Sequence, residues 1–560
     1  MDAQAPAAPA ARGALPDFRD ADTMAWPLLA IALLLAGQAS LIFTRAINWD
    51  EFFHYAQLYH LAAGRPLPAL QTLYFRPFAW LPALPGNGVD HIVIARIGMA
   101  LCELVVLAMI FLAARRFVDR TGAALATLAY LSTGYVLQHG FSFRADPMVT
   151  AVLMGAVVLL LRRRLDWSCV LGTGALVGLA GMLSMKAVLY APAFAGIAWL
   201  RWREAGQSRA AALKLASVAL VAALTFAAVY LLHQEAMPRP GSHQGGPAGS
   251  AGLAQSAARY MFFVGRPNNL GFAVDAIFTG LGLAALIALA PWAIAKRRGK
   301  PGETVALDAM LAMVLWPAFY ENTAPYFYVF MLAPVTVAAC VSLAMVRAKA
   351  PAMVITVLLV SLTVSTFATE NRTVIDNQRR LVGTVDALFP VPVAYFDHAD
   401  IIPRFDKRNP LQTPWGYKGY LARGVPIYRN AMERRPVPLL IANWWTLREV
   451  LAGTDDHFLP RDAKALRGNY LPFAGPVWLA GKQIEAGAER DEEFLVPGPY
   501  TVRDAAVSID GTPYRPGAIV TIGRGVHRIA TPGEAAARLV WGKRLEPRDK
   551  LDYTGNWVAF

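Results

Sequence analysis

The sequence predicts a polytopic α-helical membrane protein with a soluble C-terminal region, and three observations support this fold class. Of the 560 residues, 56% are hydrophobic and only 16% are charged, which is too apolar for a soluble protein of this length. Eleven long apolar stretches fill the first two thirds of the chain. Clusters of lysine and arginine follow almost every second stretch, as membrane topology requires.

The apolar stretches predict eleven membrane spans, each long enough or nearly long enough to cross a bilayer, which takes about 20 apolar residues. The predicted spans cover residues 24–43, 91–114, 121–138, 147–161, 168–183, 187–200, 214–232, 272–295, 304–319, 326–346 and 351–369. Almost nothing after residue 370 is apolar over such a length, so a soluble region follows the membrane part.

The basic clusters predict how the chain is oriented. They lie at 115–120, 162–164, 201–214, 296–300 and 347–349, in every second loop. The positive-inside rule places these loops in the cytoplasm. With eleven spans, the N-terminus is then cytoplasmic and the C-terminal region lies outside, in the periplasm if the membrane is a bacterial inner membrane, as we expect. Because this topology explains the net charge of +14, we expect no nucleic-acid partner.

Changes in composition divide the chain into four parts. Residues 1–22 are rich in alanine and proline and predict a disordered cytoplasmic lead, and residues 23–370 form the membrane domain. In 371–483, helical patterns alternate with short apolar runs at 391–397 and 437–443, which predicts a small α/β domain. Residues 484–560 predict a β-sandwich with strands in 493–502, 505–511, 517–522, 525–530 and 537–542. Asp510-Gly511 is a hairpin signal between two of these runs.

The first outer loop, about 44–90, is too long for a simple connector. It interleaves aromatic residues with polar ones, including His54, Tyr55 and Arg76, which is typical of amphipathic helices at the membrane surface that shape a groove for a lipid headgroup. The alternative is an ordinary aromatic belt. The outer loop at 233–271 is rich in glycine and serine, which fits a lid over a lipid-entry groove equally as well as a simple tether.

Acidic and basic residues gather at the outer ends of the predicted spans. A carboxylate beside the membrane is costly unless it is solvated or partnered, so such groups are functional candidates. Each has a structural alternative: a charge at a helix terminus for the acids, a long side chain reaching the interface for the bases, and helix capping for Asp146. The set comprises Asp50, Glu51, Arg144, Asp146, Lys186 and Glu321.

The order of these motifs resembles the GT-C superfamily of integral-membrane glycosyltransferases. The similar features are the Asp50-Glu51 pair after the first span, the long first outer loop, the R-x-D motif at 144–146, Lys186 between two short spans, and the soluble C-terminal region. The protein O-mannosyltransferases and the lipid A aminoarabinose transferases are the most similar groups, over roughly residues 20–370. The resemblance implies a GT-C fold.

The resemblance also implies an activity. A hexose or pentose is transferred, with inversion at the anomeric carbon, from a polyprenyl-phosphate donor to a lipid, glycan or protein acceptor. Membrane lipids surround the enzyme and are further partners. Asp50 matches the acidic residue that serves as catalytic base or metal ligand, and Glu51 is its neighbour in that motif. Positive charge is needed for the departing phosphate. The candidates for that role are Lys186, Arg144 and Arg76.

Four further residues are candidate substrate-binding groups under the same resemblance: Asp146, His54, Tyr55 and Glu321. Glu321 stands where the family often has a basic residue, so a contact to the donor phosphate from this loop is in doubt. With Asp50, Glu321 is instead a candidate ligand of a divalent metal cation.

No P-loop, nucleotide-binding glycine motif or paired zinc signature is present in the sequence, which argues against a cytosolic nucleotide-sugar enzyme and against an ATP-driven pump. Two alternatives stay open. A polysaccharide polymerase or ligase shares the lipid-linked substrate but carries its basic residues in large outer loops. A flippase for lipid-linked sugars should show internal repeats and charges near the middle of the membrane.

Overall fold

The computed structural model describes residues 18–237, 261–263, 265, 267, 269–297, 300–410, 414–454, 457–547 and 551. The first helix begins at Phe18, so the end of the predicted lead is helical and its other residues lie outside the described part. Most of the predicted lid at 233–271 also lies outside the described residues.

The helices of the described chain follow one another with short connections. In chain order they are α1 (Phe18–Thr44), α2 (Trp49–Ala62), α3 (Gly88–Ala114), α4 (Arg120–Leu131), α5 (Gly134–His139), α6 (Ala145–Arg162), α7 (Trp167–Leu183), α8 (Ala191–Glu204), α9 (Arg209–Glu235), α10 (Leu270–Thr279), α11 (Leu281–Ala295), α12 (Pro301–Leu311), α13 (Phe327–Arg347), α14 (Ala352–Val360), α15 (Thr363–Ala368), α16 (Val374–Leu388), α17 (Pro414–Arg423), α18 (Ile427–Arg434), α19 (Trp445–Ala452) and α20 (Pro460–Asn469). Short 3₁₀ segments at Leu73–Phe78, Leu81–Ala83, Met185–Tyr190 and Ala312–Ala318 join some of them.

Five helices among the described residues are long and apolar enough to cross a membrane, judged by length and composition: Thr23–Thr44, Gly88–Ala114, Ala145–Arg162, Arg209–Glu235 and Phe327–Arg347. Helices α10 and α11 make a sixth span if this pair, bent by 100°, is one broken span. Each of the other predicted spans is helical but shorter or interrupted, as at the 3₁₀ turn around Pro317. The total of eleven therefore stays a prediction.

Helix α13 lies at the centre of the helical bundle. Almost every residue from Phe327 to Leu343 is buried, and the helix packs against α4, α6, α11 and α12. An apolar helix that is buried on all sides is a core helix rather than a lipid-facing one. Helix α9 shows the opposite pattern, because the most apolar part of the helix has no fully buried residue, although one side of it packs against α7.

The C-terminal region contains two β-sheets. The strands are β1 (Ala394–Phe396), β2 (Asp406–Lys407), β3 (Leu439–Ile441), β4 (Tyr470–Ala474), β5 (Val477–Ile484), β6 (Glu489–Phe494), β7 (Gly498–Arg503), β8 (Val507–Ile509), β9 (Thr512–Tyr514), β10 (Ile519–Ile522), β11 (Gly525–Ala530) and β12 (Ala537–Trp541). One sheet has the order β10-β7-β12-β5-β3-β1-β2, with β4 also on β5, and the other has the order β6-β11-β8-β9. Among the strands of the described residues, only the pairs β1–β2 and β1–β3 are parallel.

The hairpin predicted at Asp510-Gly511 forms between β8 and β9. Both turn residues have positive φ, 49° for Asp510 and 82° for Gly511, which is the backbone of a type I′ turn. The predicted strand 493–502 is instead two strands that belong to different sheets. Residues 495–497 separate them, and a Cβ on Gly498, the first residue of β7, would lie 2.3 Å from Trp541 Nε1.

The predicted division at 483/484 stays a prediction, but one sheet takes strands from both sides of it. Strand β5 ends at Ile484 and pairs with β3 on one edge and with β12 on the other. The sheet therefore continues from the predicted α/β part into the predicted β-sandwich.

Polar and ring contacts join the C-terminal region to the segment between α1 and α2 and to the first turns of α2 and α3. The Gln378 amide accepts from the backbone N–H of Ile47 at 2.9 Å and donates to the Ile47 carbonyl at 2.7 Å. Arg379 pairs with Asp90 at the start of α3. The ring of His398 lies between Trp444, at 4.4 Å, and Trp49 of α2, at 5.5 Å. These contacts hold the helix that begins at Trp49.

Candidate functional site

Helix α2 begins directly after the first apolar helix because Asn48 caps it. The Asn48 Oδ1 accepts from the backbone N–H of Glu51 at 3.0 Å, and the Glu51 carboxylate accepts from the backbone N–H of Asn48 at 3.3 Å. This reciprocal capping box fixes the first turn. Asp50 and Glu51 therefore stand on a rigid helix end rather than on a loop, and both side chains are buried.

Arg144 bridges two carboxylates. Its Nη1 donates to Asp50, and its Nε donates to Asp146 at 3.2 Å. Lys186 adds a second cation on the far side, with its Nζ 2.7 Å from Asp146 Oδ1. The four side chains form an alternating chain, Asp50–Arg144–Asp146–Lys186, which we call the charge chain. It has no net charge and is largely removed from solvent.

Tyr326 covers the two cations of the charge chain. The Arg144 Cζ lies 3.2 Å from the centroid of the Tyr326 ring, and the Lys186 Nζ lies 4.7 Å from it. A cation over an aromatic face is stabilised by the quadrupole of the ring. The Tyr326 hydroxyl donates to Asn322 Oδ1 at 2.7 Å, which fixes the ring in the last outer loop.

Glu51 is held in a different way from Asp50. Arg96 of α3 donates to both of its carboxylate oxygens, at 2.8 and 2.6 Å, and the backbone N–H of Phe143 donates to it at 2.8 Å. Arg96 also donates to the carbonyls of Ile42, Arg45 and Ala46 at the end of the first helix. Because Phe143 immediately precedes Arg144, Glu51 links the helix that carries Asp50 to the arginine that pairs with Asp50.

The charge chain lies outside the predicted membrane spans, and burial is the largest single influence on the pKa values of its side chains. Burial raises the pKa of Asp50, and the positive charges of Arg144 and Lys186 oppose that rise. Burial by itself would lower the pKa of Arg144, but the Asp50 carboxylate, with Tyr326 and Asp146, raises it, so this guanidinium stays charged. Burial lowers the pKa of Lys186. Asp50 is therefore easier to protonate than an ordinary aspartate.

His54 and Tyr55 follow Asp50 on α2 but lie in different surroundings. The His54 Nδ1 is 3.3 Å from the Phe143 carbonyl, and its ring contacts Tyr74 and Phe75. Burial lowers the pKa of His54 to about 3, so the imidazole is neutral. The Tyr55 hydroxyl lies 2.5 Å from His91 Nδ1 of α3.

The Arg76 side chain makes its contacts away from the charge chain, and the backbone of Glu321 is bound to neighbouring segments. The Nε of Arg76 donates to His233 Nδ1 at 2.6 Å, and its Nη2 donates to the Ala236 carbonyl at 3.2 Å, at the end of α9. Glu321 donates through its backbone N–H to the Met261 carbonyl at 2.9 Å, and Asn269 donates to its carbonyl at 3.0 Å. The structure therefore brings together Asp50, Arg144, Asp146 and Lys186, and it gives the Arg76 side chain other neighbours.

A metal ion does not fit the residues around Asp50. A divalent cation is held by several oxygen or nitrogen ligands, whereas the nearest charged partner of Asp50 is the guanidinium of Arg144. Across the part of the chain that the structure describes, no group of three or more histidine, cysteine, aspartate or glutamate side chains is placed to hold a metal. The predicted Asp50 and Glu321 pair therefore lacks further ligands.

Sequence reasoning missed Arg96, Tyr326 and His139. Arg96 carries a detectable signal, because a lone arginine inside a predicted membrane span requires a buried acidic partner. Tyr326 lies five residues after Glu321 in a segment with several aromatic residues, and nothing in one sequence says which of these rings faces Arg144. His139 is one of nine histidines, and its burial at 2% exposure follows only from packing.

The described chain combines a bundle of apolar helices, the polar charge chain at one end of that bundle and a sheet-bearing C-terminal region. A family model described as "Dolichyl-phosphate-mannose-protein mannosyltransferase" matches residues 86–233. No curated protein sequence matches the chain. The matched residues lie within the predicted membrane domain.

The chain is similar in structure to ArnT from Cupriavidus metallidurans bound to undecaprenyl phosphate, with a TM-score of 0.53 and 13% sequence identity over 77% of this chain and 95% of that chain. The apo form of the same protein gives a TM-score of 0.50, with 14% identity over 75% of this chain and 93% of that chain. At these identities the likeness concerns the fold.

Proposed function

We propose that this chain is a membrane glycosyltransferase that moves a sugar from a polyprenyl-phosphate donor to an acceptor hydroxyl. The charge chain is the observation that carries this proposal. It places a buried carboxylate next to two cations at the end of the membrane bundle. Transfer from a lipid phosphate needs both kinds of group within a few ångströms of one another. The family match and the similarity to ArnT, solved with undecaprenyl phosphate, support the choice of donor.

The proposed step is a single displacement at the anomeric carbon. The acceptor oxygen attacks this carbon while the bond from the carbon to the donor phosphate oxygen breaks, so the anomeric configuration inverts. Asp50 takes the proton of the acceptor hydroxyl as general base. The electron pair of the broken bond stays with the phosphate, and the products are the glycosylated acceptor and polyprenyl phosphate.

Arg144 and Lys186 stabilise the departing phosphate in this proposal. A guanidinium forms paired hydrogen bonds with phosphate oxygens, and an ammonium acts as a point charge. Asp146 holds both cations in place, since it contacts Arg144 Nε and Lys186 Nζ. The Tyr326 ring excludes water from one side of them. When the donor phosphate binds, it replaces Asp50 as a partner of Arg144 and leaves the carboxylate free to act as base.

Glu51 acts as a positioning residue in this proposal. Its oxygens accept hydrogen bonds from Arg96, Phe143 and Asn48. His54 and Tyr55 remain proposed substrate-binding groups, and Arg76 remains a proposed phosphate ligand. We also propose that the reaction takes place at the outer, periplasmic face of a bacterial inner membrane.

A purified-protein assay tests this function. The protein in detergent is given a labelled polyprenyl-phosphate sugar and an acceptor, and the release of polyprenyl phosphate is followed with the labelling of the acceptor. A glycosyltransferase gives both products in equal amounts. A flippase gives neither product, and that result would overturn the proposal.

A further inference from the structure

A polar cavity of about 380 Å³ lies beside the charge chain. Its volume falls in the range of ligand sites in proteins, which is roughly 300–1,000 Å³. The side chains that matter for its chemistry are Arg45, Asn48, Gln138, His139, Glu370 and Asn371.

Two elements of the reaction centre also line this cavity. Asn48 caps the helix that presents Asp50 two residues later. Pro325 precedes Tyr326, the ring that covers Arg144. The cavity wall is therefore continuous in the chain with the turn that carries Asp50 and with the residue that covers Arg144.

The cavity wall is polar and contains one ion pair, whose two charges cancel. Arg45 and Glu370 pair with each other, with only 11% and 6% of their side chains exposed. A charged ligand would have to compete with that pair at a site removed from water, which costs desolvation energy. An uncharged ligand keeps the pair intact.

The cavity also contains polar groups that lack partners. The Nδ1 of His139 is buried without a hydrogen-bond partner. Burial and the nearby guanidinium groups of Arg45, Arg144 and Arg96 lower the pKa of His139, so its ring is neutral. Within the described residues, the Gln138 amide also has no hydrogen-bond partner. An unpaired buried polar group costs about 1–3 kcal/mol, which a hydrogen-bonding ligand recovers.

We propose that this cavity binds an uncharged sugar ring next to Asp50, an inference that rests on the proposed function and names its substrate class. Sugar hydroxyls both donate and accept, so they match the His139 imidazole and the Gln138 and Asn48 amides. Tyr135 and Phe272 add aromatic surface to the same wall, against which the apolar face of a pyranose packs.

Saturation-transfer NMR on the detergent-solubilised full chain tests the site directly. The probes are methyl α-mannopyranoside and methyl β-galactopyranoside, with glucuronate as the charged comparison. The uncharged rings should bind in preference to glucuronate. The near-isosteric Gln138→Leu and the His139→Ala variants should each weaken this binding about tenfold, which is the effect of one lost hydrogen bond.

His527→Ala is the matched control, because His527 lies on β11 and pairs with Asp510 in the C-terminal region. It should bind the pyranosides as the wild type does. Equal binding by wild type, Gln138→Leu and His139→Ala, or stronger binding of glucuronate, would overturn the inference.

Steady-state kinetics with the labelled donor identify which substrate carries the ring. If the ring belongs to the acceptor, Gln138→Leu raises the KM for the acceptor, and if it belongs to the donor, the variant raises the KM for the donor. A wild-type protein that binds the pyranosides but never releases polyprenyl phosphate refutes the proposed function and leaves the sugar site standing. If Gln138→Leu turns over with the wild-type KM for both the donor and the acceptor, the sugar site is refuted and the proposed function is not.

Discussion

Arg144 donates to the Asp50 carboxylate through Nη1 while its Nε reaches Asp146 at 3.2 Å. One arginine thus ties the first turn of α2 to the first turn of α6. The proposed base and the proposed phosphate-binding cation are held by each other before any substrate arrives. Such mutual positioning is what a displacement reaction requires of its catalytic groups.

Arg144→Lys should lower kcat about 10²-fold, the usual loss when one donor to a developing negative charge is removed. Lysine keeps the positive charge but cannot reach Asp50 and Asp146 together or form two parallel bonds to a phosphate. The measurement is the rate of polyprenyl phosphate release. Arg538→Lys, whose partner is the exposed Asp504, should leave this rate unchanged. Unchanged turnover in Arg144→Lys would remove Arg144 from the phosphate site.

Removing either partner of the Glu51–Arg96 pair should destabilise the fold by about 3–5 kcal/mol, because the remaining charge is buried without its partner. Glu51→Gln and Arg96→Met test this by chemical unfolding in detergent. The double variant should lose less than the sum of the two single variants, because the two residues are coupled.

Arg528→Met is the comparison for that pair, since its partners Glu489 and Asp491 are exposed and such pairs contribute little. Its unfolding midpoint should stay close to that of the wild type. Glu51 and Arg96 variants as stable as Arg528→Met would refute the positioning role of Glu51.

The pH dependence of kcat/KM should show an acid limb above the ordinary aspartate value of 3.8, because burial raises the pKa of Asp50. A general base works only when ionised, so the rate is full above this pKa and falls as the pH drops through it. Lys186→Met removes a positive charge that lowers the pKa of Asp50, so the limb should move to higher pH.

His54→Asn serves as the control for that profile. Burial lowers the pKa of His54 to about 3, so this ring does not titrate in the range of the limb, and its replacement should leave the position of the limb unchanged. A limb that moves to lower pH in Lys186→Met would contradict the assignment of Asp50 as the titrating base.

Treatment with EDTA should leave the transfer rate unchanged. The Asp50 carboxylate is paired with Arg144, and this cationic environment does not suit a divalent metal. The rate is compared before and after chelation and after addition of Mg²⁺ or Mn²⁺. Loss of activity with EDTA and its recovery with one of these ions would restore the predicted metal role of Asp50 and Glu321.

Apolar length predicts the positions of several membrane helices well, because it follows from local sequence. The helices at Gly88–Ala114, Arg209–Glu235 and Phe327–Arg347 lie where their apolar runs predict them. Breaks such as the 100° bend between α10 and α11 are less visible, because an apolar run reads the same whether the helix is straight or broken.

The members of the charge chain are predictable as single residues, but their pairing is not. Asp50, Arg144, Asp146 and Lys186 are all polar residues at span ends. That Arg144 reaches Asp50 across 94 residues of sequence depends on how α2 and α6 pack. Arg76 shows the converse, since it lies in a predicted outer loop yet its side chain contacts His233.

The most direct test of the account is the turnover of Asp50→Asn with a labelled polyprenyl-phosphate sugar. Asparagine keeps the size of the side chain but cannot take the acceptor proton, so transfer should fall about 10²–10⁴-fold. Asp491→Asn, an exposed aspartate on β6, should transfer as the wild type does. A folded Asp50→Asn protein with full transfer activity would contradict the claim that Asp50 is the catalytic base.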